Sequence, residues 1–231
     1  MQAIISCEHG NNDIPEELIG HFAGQEGLLE SHRGSDLGAS EMAAYLAELL
    51  NAPLYIAPFS RLVVDCNRSL NHPGLFSTFT RNLPPLERES VLARYYHPHR
   101  QAILQSVRNA ILMAGVCLHI GVHTFTPVLH GKERTAEIGL LYDPSRIPEK
   151  GICEQLGKAL KHKFPEIRIR RNYPYRGVSD GLIPALRKSF LPHQYVGMEL
   201  ELNQDLYSRL KSWPKNLRRL LAEELMKLFE K

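Results

Sequence analysis

A three-layer α/β/α sandwich around a mixed, largely parallel sheet is the fold class this sequence predicts. Three observations carry it. Residues 116–127 (VCLHIGVHTFTP) open as an apolar run with little alternation, the pattern of a strand buried on both faces. Short apolar runs of this kind recur along the chain and alternate with stretches whose apolar residues fall at helical spacing. With 231 residues, 43% of them hydrophobic and 23% charged, the chain has material for a full core. No internal repeat, low-complexity tract or linker divides it, so a single domain over 1–231 is expected.

The elements follow in order. Residues 2–7 (QAIISC) read as a short buried strand ending in the polar turn Glu8, His9, Gly10, Asn11, Asn12, a suitable place for a site loop. Residues 13–34 read as mostly irregular. A helix is expected from Ser35 and Asp36, with Leu37, Met42, Ala43, Leu46, Leu49 and Leu50 at helical spacing before Pro53. Residues 54–59 and 62–66 read as two extended stretches, and 69–85 as a loop. A helix over 86–96 is expected to break at His97 and Pro98, where a second begins with proline in its first turn and runs to about Met113. Gly115 ends it, and the central strand delivers His123 at its carboxyl end, where open α/β sheets bind ligands. A polar segment at 130–136 precedes a strand at 137–142 and a turn at Asp143 and Pro144. Ile152, Leu156 and Leu160 mark an amphipathic helix, and 167–171 a half-exposed strand leading into Asn172–Tyr175. Residues 183–190 read as helical. Residues 195–202 (YVGMELEL) read as a late strand with Glu199 and Glu201 on one face, and 213–231 as a closing amphipathic helix.

Composition removes several functions. A net charge of +3 is too small to argue for nucleic acid or an anionic membrane. The last helix mixes Glu223, Glu224 and Glu230 with its lysines and arginines. Cys7, Cys66, Cys117 and Cys153 lie far apart with no CxxC pair, which suits reduced, buried thiols and not a disulfide frame or a cysteine zinc site. The first residues do not read as a signal peptide, and no apolar run approaches membrane-spanning length. A cytoplasmic protein acting on a small molecule is expected, in an oligomeric state the sequence does not reveal.

Polar clusters stand at strand ends and helix starts: Glu8 and His9, Asp36, Arg61 with Asp65–Arg68, His123, and Glu199 with Glu201. Two histidines and a carboxylate suit a zinc ion with a position open for water, and a further carboxylate nearby suits proton transfer. Arginine beside asparagine suits a substrate carboxylate. Each cluster also has a plainer reading. Asp36 fits a helix N-cap, Arg68 an ion-pair partner of Asp65, and the two glutamates a solvated strand face. Cys7 beside His9 raises a Cys/His hydrolase, against which stands its place at the end of a buried strand.

The motifs SCEHGNNDIP, HRGSDLGA, RLVVDCNRS, GVHTFTP, EIGLLYDP, RNYPYRGVSDG and ELELNQDL occur in this order, and the chain thereby resembles the N-formylglutamate amidohydrolase family across about 5–207. More distantly it is similar to zinc carboxypeptidases and aspartoacylases. The resemblance implies a zinc-carboxypeptidase/phosphorylase-hydrolase-like fold and a zinc-dependent amidohydrolase, other divalent metals being admissible. Its substrate would be an acidic N-acyl amino acid such as N-formylglutamate. His9 and His123 match metal ligands. The carboxylate ligand is Asp36 or Glu8, because Asn12 stands where carboxypeptidases carry a glutamate three residues after the first histidine. Glu201 matches the catalytic base, and Arg61, Asn67, Arg68, Asn172 and Tyr175 would hold substrate. Deacylation of another N-acyl amino acid or small peptide, and metabolite binding without turnover, are the alternatives.

Overall fold

The structure is a computed structural model describing residues 1–208 and 212–229. Its elements are β1 (Gln2–Cys7), a 3-10 helix (Glu16–Phe22), α1 (Glu26–Leu29), α2 (Ala39–Leu49), β2 (Leu54–Ile56), α3 (Pro85–Val91), a π turn (Leu92–Tyr96), α4 (His97–Ala114), β3 (Cys117–Phe125), β4 (Val128–Leu129), β5 (Lys132–Glu133), β6 (Ile138–Leu141), α5 (Ile147–Lys163), β7 (Ile169–Arg171), α6 (Leu182–Arg187), β8 (Tyr195–Asn203), α7 (Asp205–Ser208) and α8 (Lys215–Met226). Six strands form one sheet in the order β2-β1-β3-β8-β6-β7, and β4 pairs with β5. Strands β1, β2, β3 and β8 are parallel; β6 runs antiparallel to β8, with β7 parallel to β6. The sheet is therefore mixed and largely parallel.

Alternate residues of a strand point to opposite faces. One set, including Ile5, Leu118, Ile120, Val122, Met198, Leu200 and Leu202, is apolar and packs with residues of α2, α5 and α8 such as Met42, Leu46, Leu156, Leu160, Leu217 and Leu221. On the other face, Ile4, Cys117 and Tyr195 at the strand starts pack with Ile103 and Val107 of α4 and Leu182 and Leu186 of α6. Helices on both faces make the three-layer α/β/α sandwich. Among the described residues no helix is long and apolar enough to cross a membrane.

Several expectations need correction. Residues 62–66 are not a strand but a run of turns, and Leu62, Val63, Val64 and Cys66 join Leu18, Phe22, Leu75, Leu83, Val91 and Tyr95 in a separate apolar cluster. A short apolar run does not by itself say which partner buries it. The second extended stretch aside, β2 is confined to Leu54–Ile56. Helix α2 starts at Ala39, after Gly38 in the left-handed region (φ 77°), and not at Asp36. Helix α3 does not break before Pro98. Proline lacks the N–H that an α-turn would direct to residue 94, and the wider π turn over Leu92–Tyr96 leads directly into α4 with Pro98 in its first turn. The segment expected to be irregular contains the 3-10 helix and α1, α6 is shorter than expected, and α8 ends at Met226. Residues 230 and 231, expected to be helical, lie outside the described residues.

One polar feature completes the sheet. β6 pairs with β8 only from Glu199 onward, which leaves Gly197 and Tyr195 without a strand on that side. The fully buried Glu149 accepts the Gly197 N–H (3.3 Å), Arg187 donates to the Gly197 carbonyl (3.0 Å), and Arg146 donates to the Tyr195 carbonyl (2.8 Å). Glu149 also pairs with both arginines at 2.9–3.0 Å, so the charges that finish the strand satisfy one another.

Candidate metal centre

Three parallel strands bring the site together at their carboxyl ends. His9 follows β1, His123 stands near the end of β3, and Glu201 of β8 is in register with His123. Asp36 comes from the turn before α2. Gly38 holds that turn in place: a Cβ there would meet the Tyr207 ring at 2.6 Å, while the Trp213 indole N–H donates to the Gly38 carbonyl (2.8 Å).

His9, Asp36 and His123 are buried and offer ligand atoms that all lie within 4.8 Å of one another. Asp36 Oδ2 is 3.1 Å from His123 Nδ1 and 3.5 Å from His9 Nδ1, and it also accepts the Thr124 N–H (3.3 Å). It makes no N-cap bond to α2. The far nitrogens of both rings face carboxylates. His9 Nε2 donates to Asp65 (2.7 Å), and His123 Nε2 stands 3.2 Å from Glu8, in ion-pair range but off the line of a hydrogen bond. A carboxylate that takes the outer proton leaves the inner nitrogen as a lone-pair donor, the usual support of a metal-binding histidine. Glu8 is thus behind His123, with His99 3.8 Å further on, whereas Asp36 lies between the two rings.

The charges are strongly coupled. Burial opposes ionisation throughout, yet His9 and His123 hold Asp36 far below the usual carboxylate range. His9 and Arg61 do the same for Asp65, and His123 and His99 for Glu8. Burial and Arg61 push the His9 imidazolium down, and Asp65 with Asp36 outweighs them. Burial likewise lowers His123, and Asp36 with Glu8 carries it well above its ordinary value. Glu201 behaves differently: burial, with Asp36 and Glu199 adding, pushes its pKa up to about 8 against the pull of His123. Its Oε2 is buried and has no hydrogen-bond partner among the described residues. An orphaned carboxyl oxygen beside two imidazoles and a carboxylate fits a divalent ion with its water.

A cavity of about 300 Å³ opens over this cluster. Arg61, Asn67, Arg68 and Tyr175 line it, together with Arg134, Arg176 and His32. Arg61 is held by Asp65 (2.9 Å) and Asp36 (3.6 Å). Asn67 Oδ1 accepts the Leu182 N–H (2.7 Å), which leaves its amide N–H groups for the cavity. Asn172, expected at the substrate, is not part of the wall. Its Oδ1 accepts the N–H groups of Tyr142 (3.1 Å) and Gly177 (2.9 Å), so it shapes the loop that presents Tyr175. Cys7 is buried on the apolar face, where burial pushes its thiol up.

Two residues escaped the sequence reading. Asp65 stands in a polar cluster and reads as a partner for arginine, but its bond to His9 has no sequence signal. His99 did have one: it falls with Ile103, Val107 and Ala110 on the buried stripe of α4.

Comparison with known proteins adds the following. Residues 1–208 match the family model described as N-formylglutamate amidohydrolase. A gene product of Agrobacterium tumefaciens has a similar structure, with TM-score 0.80 and 26% identity, over 100% of this chain and 92% of that one. The N-formylglutamate amidohydrolase from Ralstonia eutropha superposes with TM-score 0.73 at 17% identity, over 100% of this chain and 93% of that one. Among curated proteins none matches the chain.

Proposed function

The chain belongs to the N-formylglutamate amidohydrolase family, and on that premise we propose that it is a zinc-dependent enzyme removing the N-formyl group from an acidic amino acid such as N-formylglutamate. The observation that carries this reading is the convergence of His9, Asp36 and His123 under the unpartnered oxygen of Glu201. These three residues would hold the ion. When bound, a zinc or similar divalent ion supplies a Lewis acid and lowers the pKa of water toward neutrality.

The chain's own groups do the rest. Glu201, whose ionised form a nearby bound cation would favour against the burial that raises its pKa, accepts the proton of the attacking water and returns it to the amine nitrogen as the C–N bond breaks. Asp65 and Glu8 keep the His9 and His123 rings aimed inward. Arg68 and the Asn67 amide bind and orient the substrate carboxylate, with Arg61 and Tyr175 beside them in the wall. The free, buried state of all four cysteines supports a reducing, cytoplasmic setting.

Elemental analysis of the purified protein, paired with an assay of formate release, tests the reading. Stoichiometric zinc and faster release from N-formyl-L-glutamate than from N-acetyl or peptide substrates are expected. His123→Ala should lose the metal, and a full metal complement in that variant overturns the ligand role. A metal-loaded protein that hydrolyses nothing across the panel is a binding protein and ends the proposal.

A further inference from the structure

The sheet has an open side at its last strand, β7, which is bordered by β6 alone. The Arg168 carbonyl accepts the Ile138 N–H (3.3 Å), and the Asn172 N–H donates to the Leu140 carbonyl (2.9 Å), so the even-numbered residues of β7 face β6. By the alternation of a strand, the N–H and C=O groups of Ile169 and Arg171 point outward. Among the described residues no backbone group pairs with them.

Beside this edge runs a groove of about 730 Å³ whose other wall is α5. Glu154, Gly157, Lys158, Lys161 and His162 line it at the spacing of one helical stripe. Gly157 leaves the middle of that stripe without a side chain, which keeps the groove open. The charge of the groove is one-sided. Its acid, Glu154, is taken by Arg171 of the strand (2.6 Å). Lys161 donates to the Pro165 carbonyl (2.6 Å), and among the described residues neither Lys158 nor Lys161 meets a carboxylate.

Charges on an edge strand ordinarily keep other strands away. Charges of one sign keep away only what shares that sign. A second copy of this edge would set cation against cation, whereas an acidic strand would neutralise Lys158 and Lys161. Nucleic acid would answer the cations but not the outward amide and carbonyl groups in strand register.

We propose that the groove between β7 and α5 docks an extended acidic peptide segment of a partner protein. The segment adds a strand to the β7 edge and sets its carboxylates against Lys158 and Lys161. The proposal is independent of the chemistry at His9, Asp36 and His123.

Fluorescence anisotropy with a short labelled peptide alternating threonine and glutamate tests it. Binding should weaken as salt is added. The double variant K158E/K161E should bind about tenfold more weakly, because two attractions become two repulsions. Both side chains are exposed, so the fold should be retained. Peptides N-methylated at all threonines or at all glutamates separate strand addition from simple charge attraction. One of the two sets should lose about fivefold or more in affinity, the set whose N–H groups face β7, and the other should lose little.

No binding of the acidic peptide, equal binding of a threonine–lysine peptide, an unchanged affinity in K158E/K161E, or no difference between the two methylated sets each overturns the proposal. An oligonucleotide of equal charge that binds as tightly and is lost with the same substitutions overturns it too, because it marks a surface for polyanions. So does a concentration-dependent dimer that competes with the peptide, which marks an interface between copies of this chain.

Discussion

The two faces of the central sheet are built from the same strands and do opposite work. On one, Leu118, Ile120, Val122, Met198, Leu200 and Leu202 lie in a continuous apolar core, each contributing about 1.5–3 kcal/mol by its burial. On the other, Ser6, Glu8, His119, His123, Glu199 and Glu201 form a ladder of polar groups that is almost as well buried. Burying such groups costs free energy unless each finds a partner. His119 finds two, Ser6 and the Tyr195 hydroxyl, both at 2.8 Å, while Glu201 Oε2 finds none among the described residues. The period of two along a strand lets stability reside on one face while the other carries unmet charge.

Substitutions at neighbouring positions of β8 break or sharpen this contrast. Glu201→Gln should lower turnover by about 10²–10⁴-fold with metal still bound, because only the proton transfer is removed; a rate near the native one would show that the polar face does not carry the chemistry. Leu200→Ala, one residue away and on the opposite face, should cost about 2–5 kcal/mol in urea denaturation and leave kcat per folded molecule unchanged. A loss of kcat at full stability would erase the distinction.

His119 tests the polar face in its structural role. Burial lowers its pKa from 6.5 to about 4, so the unfolded chain takes up the proton first. Stability should therefore fall as pH drops from 6.5 toward 4, by about 3 kcal/mol in total. Denaturation of His119→Gln across that window should show a flatter slope, and an unchanged slope would assign the titration elsewhere. The smallest effect is expected at Asp65→Asn, which should weaken metal binding about 10–100-fold in a chelator competition by freeing the outer nitrogen of His9. Undiminished affinity would mean that the ring needs no such support.

The same contrast governs how much could be read in advance. Strands β3 and β8 were legible because burial on both faces leaves an apolar run even where a histidine or glutamate interrupts it. His123 and Glu201 stood out as exceptions to that run. The pairing of His9 with Asp65 was invisible, since the two residues are 56 positions apart and meet only after the sheet has formed. Asp36 carried two meanings in sequence, and only the left-handed turn at Gly38, which moves the start of α2 to Ala39, turns its carboxylate toward the histidines. Leu62–Cys66 misled for the complementary reason: apolar side chains demand burial, and a side cluster satisfies them as well as a sheet does. Glu149 stands in the first turn of α5, and nothing local in the sequence announces that it finishes the open side of β8.

The bond from Trp213 to Gly38 joins the closing segment of the chain to the turn that carries Asp36. Trp213 lies past residue 208, where the family match stops, so a part of the molecule outside the shared pattern helps to set the distance between Asp36 and its imidazoles. Exchanging that tail between relatives would retune the spacing of Asp36 from His9 and His123 and, on the proposed metal reading, the affinity for the cation, with all three residues unchanged.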